Sequence, residues 1–439
     1  DPNMSNLLGK QAYTIGTDGW TFLDDDETYV ITGSVIGSYT QGSTEYLTKL
    51  QQEPYRYLQR PDKTYMPLDS SRTSLVGYYS RVMLNKQSGN YYINAALGTI
   101  SPGFQYNDLG SQWFADRITG HIVNGYRWYE ADGIFRRKGV FLAYNRSVDY
   151  EGNTLRNGFY TTNYFQFLNF WGIGFNGSYD FESISTTLTR GGPKVINPAR
   201  YSFRINAYTD NREMLILSPY MNYWANGLGS KGYSIGAELV WRPSPQIDFS
   251  IGPEWMYDFN VTQWVGNFED EYAAATYNTR YVFGELDQTN LSANIRLNWT
   301  FTPSLSLQLF LQPLFAVGNY SQFKELSSPS SKDYSLYGQN GSEITYDSES
   351  DEYIVDPDVN GASEQFSFGN PDFNFKSLRG SVVLRWEYLP GSVFYFVWTH
   401  DKINHDDPGS MSLKRDFQNL WASEANNVLL IKFSYWIDI

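Results

Sequence analysis

Residues 291–312 read LSANIRLNWTFTPSLSLQLFLQ. Leu291, Ala293, Ile295, Leu297, Trp299 and Phe301 alternate with Ser292, Asn294, Arg296, Asn298 and Thr300. After the tight turn Thr302-Pro303-Ser304, Leu305, Leu307, Leu309 and Leu311 alternate with Ser306, Gln308, Phe310 and Gln312. A period of two places one set of side chains on each face of an extended strand. A half-buried strand in a water-soluble sandwich shows the same pattern, usually over a shorter run. Here each arm runs roughly ten residues, about the length a tilted strand needs to cross a bilayer. Trp299 and Phe301 sit beside the turn, where a membrane interface would lie. The hairpin is read as two strands of a transmembrane β-barrel.

The rest of the chain follows the same plan. Seventeen segments read as strands. They are Ala12–Phe22, Tyr29–Tyr39, Ser74–Leu84, Tyr91–Leu97, Gln112–Trp128, Ile134–Ser147, Leu155–Asn169, Gly172–Phe181, Tyr201–Thr209, Met214–Tyr223, Tyr233–Trp241, Ile247–Ile251, the two arms of the opening hairpin, Leu378–Tyr388, Val393–His400 and Asn427–Ile439. A long connection is expected between Ile251 and Leu291. Tight turns alternate with longer polar loops at 40–71, 99–110, 185–200, 226–232, 321–374 and 402–425. Short periplasmic turns and long extracellular loops give this asymmetry, and a Greek-key sandwich has no reason to obey it. The expected fold is all-β: a transmembrane antiparallel barrel of 16 or more strands, spanning residues 1–439 as one domain. If Ala12–Phe22 is a strand, an odd number of further strands precedes residue 1, and the chain is the later part of a larger barrel. The last strand is expected to close the wall against an early one.

Composition agrees. Hydrophobic residues make up 41% and mean hydropathy is −0.45. No run of apolar residues is long enough for a membrane helix, whereas a barrel hides its apolar residues at every second position. Aromatics reach 18%, enough for girdles at both interfaces or for a sugar-stacking surface. The absence of Cys excludes disulfides and thiolate metal sites. The net charge of −14 argues against a nucleic-acid partner. The sequence begins at Asp1 without a signal-peptide pattern, so residue 1 is read as a mature end or the start of a fragment.

Several short stretches carry a family resemblance. They are Tyr57-Leu58-Gln59-Arg60-Pro61-Asp62, Asp69-Ser70, Thr73-Ser74-Leu75, Ser101-Pro102-Gly103-Phe104, Asn107-Asp108-Leu109-Gly110 and Leu384-Arg385-Trp386-Glu387-Tyr388 with Pro390-Gly391-Ser392. Ala12-Tyr13 through Gly33 is similar to a family strand pair. The chain resembles the barrel domain that follows a family-9-like carbohydrate-binding module in large outer-membrane proteins of Gram-negative bacteria, a family of undefined function. The resemblance implies an outer-membrane barrel of transport or binding type in a saccharide-related or multi-protein envelope system. Its expected partners are outer-membrane lipid, other outer-membrane proteins or lipoproteins, and glycan. The family has the module and further strands upstream, and about 22 strands in all would stay within the bacterial range. It supplies no catalytic residues and no cofactor.

Candidate sites follow from residue chemistry. Loop 41–72 holds Tyr46, Tyr55, Arg56, Tyr57, Arg60 and Tyr65. These fit a glycan-stacking rim, an inward-folded constriction loop or ordinary loop packing. Glu238, Arg242, Asp248, Arg296, Arg379, Arg385, Glu387 and Lys432 fall on inward positions and either line a polar conduit or pair across the wall. Loop 321–374 holds eleven carboxylates against two lysines. Asp347, Glu349, Asp351, Asp356 and Asp358 are the calcium candidates, since Ca²⁺ takes 6–8 oxygens. Their spacing fits no EF-hand, and a solvated surface loop is the plainer reading. No Ser motif accompanies His121, His400 or His405, so no enzyme is expected. Two alternatives stay open: a blocked scaffold barrel that docks partners through its loops, and a lipid- or glycan-modifying barrel enzyme.

Overall fold

The computed structural model describes residues 7–406 and 408–437. Eight strands open the chain: β1 (Gly9–Phe22), β2 (Tyr29–Gly42), β3 (Ser74–Lys86), β4 (Tyr91–Ile100), β5 (Arg117–Trp128), β6 (Phe135–Val148), β7 (Thr154–Phe167) and β8 (Gly172–Asp180). A small hairpin of β9 (Ser183–Ser185) and β10 (Val195–Asn197) follows. The wall continues with β11 (Arg200–Tyr208), β12 (Leu215–Asn226), β13 (Lys231–Ser244), β14 (Ile247–Glu269), β15 (Thr279–Thr302) and β16 (Leu305–Leu326). One loop carries β17 (Tyr334–Leu336), β18 (Glu343–Asp347), β19 (Glu352–Asp356) and β20 (Phe366–Gly369). β21 (Phe373–Leu389), β22 (Ser392–Asp406) and β23 (Ala425–Ser434) complete the wall.

Each wall strand pairs antiparallel with the next, giving one meander of 17 strands. Turns such as Pro245–Gln246, Pro303–Ser304 and Pro390–Gly391 stay at one end, and every long loop is at the other. The opening hairpin pairs Ile295 opposite Leu311 and Leu297 opposite Leu309.

Register separates two faces. Leu215, Trp241, Phe249, Leu297, Leu309, Val382, Trp398 and Leu429 form one apolar row across eight strands. The neighbouring positions Asn294, Gln312, Arg379, Asp401 and Asn426 form a polar row on the opposite face. Among the described residues no protein layer covers the middle of the apolar face: Val35 is 55% exposed, Ile235 52% and Ile431 67%. Each Å² of such surface left in water costs about 25 cal/mol, so a soluble sandwich would have covered it. At the turn end this face carries Trp299 against Phe301 (ring centres 4.5 Å apart), Tyr126 against Trp128 (4.6 Å) and Tyr388 against Phe433 (5.1 Å), a belt of aromatic rings. Among the described residues no helix is long and apolar enough to cross a membrane.

The sheet curls toward its polar face. Loops from distant strands meet there: Lys194 N–H donates to Asp62 Oδ2 at 2.8 Å, and Ser330 N–H donates to the Lys194 carbonyl at 2.7 Å.

Four expectations need correction. The connection expected after Ile251 is strand: β14, β15 and β16 run 23, 24 and 22 residues. The loop taken as 321–374 begins only after Leu326 and ends at Phe373, and it folds into the sheet β18–β19–β20. Val355 and Phe368 of that sheet pack on Val282, Phe323 and Tyr337. The loops taken as 41–72 and 402–425 contain helices, Thr44–Gln52 and Leu413–Ala422. Finally, β23 does not close against an early strand. Its ladder with β22 ends at Ser434, and among the described residues β1 and β23 each keep a free edge. In an up-and-down meander of 17 strands the first and last run parallel, so no antiparallel ladder joins them directly. Asp438 and Ile439 of the expected last strand lie outside the described residues.

Candidate functional site

Two loops fold onto the concave polar face near β2 and β3. The helix Thr44–Gln52 starts at Ser43, whose side chain accepts from the Tyr46 N–H at 3.0 Å. Leu47 and Leu50 bury against Leu75 of β3. Gln51 ties the helix to the rest of its loop: its amide donates to the Leu47 and Asp69 carbonyls, and its Oε1 accepts from the Asp69 N–H at 3.0 Å.

Loop 101–116 then presses against the wall. Gln105 N–H donates to Ser38 Oγ on the polar face of β2 at 2.9 Å. A Cβ at Gly77 would sit 2.0 Å from Phe104 N, and one at Gly103 would sit 2.0 Å from the Val76 carbonyl oxygen. Only glycine permits this approach, which gives Ser101-Pro102-Gly103-Phe104 a physical role. Arg56 clamps the two loops. Its guanidinium donates to the Phe104 carbonyl at 2.7 Å and to Gln105 Oε1 at 3.1 Å, while the Tyr55 hydroxyl donates to the same Oε1 at 2.9 Å. Burial pulls the Arg56 pKa down to about 10, which still leaves it charged at neutral pH.

Behind this clamp lies a buried cluster of charge. Lys63 Nζ is 2.5 Å from Asp116 Oδ2 and 3.8 Å from Glu151. Arg60 lies 3.6 Å from Asp62 and 3.5 Å from Glu151. Glu151 Oε1 also accepts from Thr64 N–H (2.6 Å), Thr64 Oγ1 (2.8 Å) and Tyr65 N–H (2.9 Å). Burial acts to raise the Glu151 pKa. The N–H groups of Tyr65 and Thr64, the Thr64 hydroxyl and Lys63 outweigh it and hold the carboxyl at about 2. Lys194 joins through its Nζ, which donates to Asn153 Oδ1 at 3.1 Å. Loops 43–73, 101–116, 149–153 and 181–199 are thereby bound into one layer.

The six aromatic and cationic candidates divide accordingly. Arg56, Tyr57 and Arg60 are buried. Tyr46 and Tyr55 are half-buried, the Tyr46 ring lying against Gly42. Tyr65 alone is well exposed, stacked on Tyr150 with ring centres 5.7 Å apart. Sequence reasoning missed Lys63, Asp116 and Glu151. The available signal was opposite charges in loops that also carry apolar residues.

Register puts Glu238, Asp248, Arg296, Arg379, Arg385, Glu387 and Lys432 on the polar face, and Arg242 reaches it through Asp248 at 2.8 Å. Pairing is between neighbours in the wall: Arg379 with Asp401 at 3.2 Å, Arg385 with Glu387 at 3.0 Å, Arg296 over the Phe310 ring at 5.2 Å. Lys432 faces Tyr395, and Glu238 shares a shallow hollow with Arg204 and Tyr220.

The calcium candidates are not brought together. Asp347, Glu349 and Asp351 lie at one end of the β18–β19 hairpin, Asp356 and Asp358 at the other, about 13 Å apart at a strand's rise. Their carboxylates cap turns: Asp347 accepts from Glu349 N–H, and Asp356 from Val359 N–H. Among the described residues no group of three or more ligating side chains forms. The histidines have plain partners: His121 with Asn94 (2.7 Å), His400 with Asn427 (2.9 Å) and His405 against the Phe375 ring.

An apolar face outside, a polar face inside and loops drawn over the concave end define a wall of the transmembrane β-barrel class. The chain belongs to the family described as a domain of unknown function, DUF5916, which matches residues 21–439. Its fold is similar to that of the ferric enterobactin receptor PfeA in complex with BCV-L6, at 7% identity and a TM-score of 0.38, over 89% of this chain and 69% of that one. It is likewise similar to a mutant of that receptor from Pseudomonas aeruginosa, at 7% identity and a TM-score of 0.42, over 96% of this chain and 69% of that one. No curated protein matches the sequence.

Proposed function

We propose that the chain is an integral outer-membrane β-barrel of transport or binding type in a Gram-negative envelope, with loops 43–73 and 101–116 narrowing its outer mouth. The seat of loop 101–116 on the polar face, fixed by Gln105 on Ser38 and by the Gly77–Gly103 contact, carries this reading. The wall charges favour a path through the interior, because Arg379, Arg385 and Arg242 pair with wall neighbours and not across the lumen. A saccharide cargo is the finer form of the proposal. It follows the family resemblance, with the exposed Tyr65 on Tyr150 as the remaining stacking platform.

Planar-bilayer conductance tests the reading, using the full chain and a variant with residues 44–71 replaced by a short Gly-Ser linker. Stepwise currents that grow in the variant support a constricted conduit. Silence of both proteins would sink it and favour a blocked scaffold that docks partners through the acidic sheet β18–β20. Membrane fractionation of the expressed chain checks the compartment.

A further inference from the structure

The helix Leu413–Ala422 lies outside the wall, on the loop between β22 and β23. Its inner side is polar and well anchored. Asp416 is fully buried, accepting from Ser412 N–H at 2.7 Å and from Asn374 Nδ2 at 3.1 Å. Asn419 Nδ2 donates to Asp406 Oδ2 at 2.8 Å, and Lys376 Nζ donates to the same oxygen at 2.6 Å and to Asn404 Oδ1 at 2.7 Å. Asn374 and Lys376 alternate with the polar-face residues Ser377 and Arg379, so they share a face with Leu378, Val382 and Leu384. The helix is therefore strapped to the apolar face, just past the point where the apolar band gives way to Lys376 and Asn374.

Its other side is apolar and open. Leu413, Phe417 and Trp421 are 55%, 55% and 66% exposed. A spacing of four puts them on one line along the helix. The Phe417 and Trp421 rings stack with centres 6.0 Å apart. The line joins the wall, because Leu413, Lys414, Phe417 and Gln418 line a cleft with Phe315, an apolar-face residue of β16. Lys402 Nζ donates to the Trp421 carbonyl at 2.6 Å and lies 5.3 Å from its ring, and Lys414 stands at the cleft.

We infer that this helix lies in the headgroup region of the outer leaflet, with Leu413, Phe417 and Trp421 among the upper acyl chains. The inference rests on the membrane reading of the wall. Two observations choose lipid over a protein partner. The stripe meets the apolar band at Phe315, and large aromatics beside lysines at the band's edge match the chemistry of a bilayer interface.

The chain has no Cys, so single cysteines can carry a fluorescent label. Label Phe417→Cys, Leu413→Cys, Leu309→Cys in the apolar row and Glu349→Cys in the acidic sheet, keeping only protein with native heat-modifiable mobility. Reconstitute each full chain in phosphatidylcholine vesicles brominated near the glycerol end or deep in the acyl chain. Fluorescence at 417 and 413 should be lost to the shallow bromines, at 309 to the deep ones, and at 349 to neither. Quenching at 309 with none at 417 and 413 overturns the helix inference and leaves the wall in the membrane. No quenching at 309 overturns both.

Discussion

Lys63 and Asp116 lie 53 residues apart in sequence and meet at 2.5 Å, with side-chain exposures of 0% and 9%. The pair bolts loop 43–73 to loop 101–116. Breaking a buried ion pair from one side costs about 3–5 kcal/mol, while replacing both partners with packed apolar groups is often neutral. Lys63→Met should free both loops for limited proteolysis and leave the wall's heat-modifiable mobility intact. Lys63→Met with Asp116→Asn should restore much of the protection, because the amide carries no unpaired charge and can still accept from the Tyr150 N–H. Equal protection in wild type and Lys63→Met would show that the bolt lies elsewhere.

Glu151 makes the same layer sensitive to acid. Its folded pKa of about 2 lies below the ordinary 4.5, so its contribution is complete above 4.5 and fades as pH falls from there toward 2. Protease access to the loops should rise across that window. Glu151→Gln should start looser at neutral pH and lose this acid step. A variant that kept the step unchanged would assign it to another carboxylate.

Gly77 and Gly103 set how closely the inner loop approaches the wall. Gly77→Ala or Gly103→Ala should cost about 1–3 kcal/mol by overpacking and speed hydrogen exchange in residues 101–116. Gly33→Ala is the control, since the nearest atom to its Cβ would be the Arg81 carbonyl oxygen at 3.9 Å. Matching exchange in all three would remove the close contact as the determinant.

Arginine on the lipid side tests the two faces directly. Ile295→Arg or Leu309→Arg should cost about 2–4 kcal/mol at mid-membrane depth. Gln308→Arg on the polar face should refold nearly as well as wild type. Refolding yields into detergent or lipid that do not distinguish Leu309→Arg from Gln308→Arg would contradict the assignment.

The wall was legible where one face is apolar and the other polar. Ile295 opposite Leu311 could be read from alternation and a turn alone. Beyond the band the signal vanishes, because both faces pack on protein. Val282 and Phe283 are consecutive and both fully buried, so β15 reads there as an irregular connection. The two helices escaped because nine or ten residues inside polar loops give too little periodicity. The charge cluster escaped for another reason. Glu151 accepts from Thr64 across 87 residues of sequence, and no local spacing encodes that contact.

The length of β16 also sets where the acidic sheet stands. Its apolar-face residues end at Val317, and Phe323, which supports the acidic sheet, lies about 20 Å further along the strand at 3.3 Å per residue. Mobile ions damp a field over about 8 Å at physiological salt. The carboxylates of β18–β20 therefore act at short range, on what approaches that end of the strand from solution.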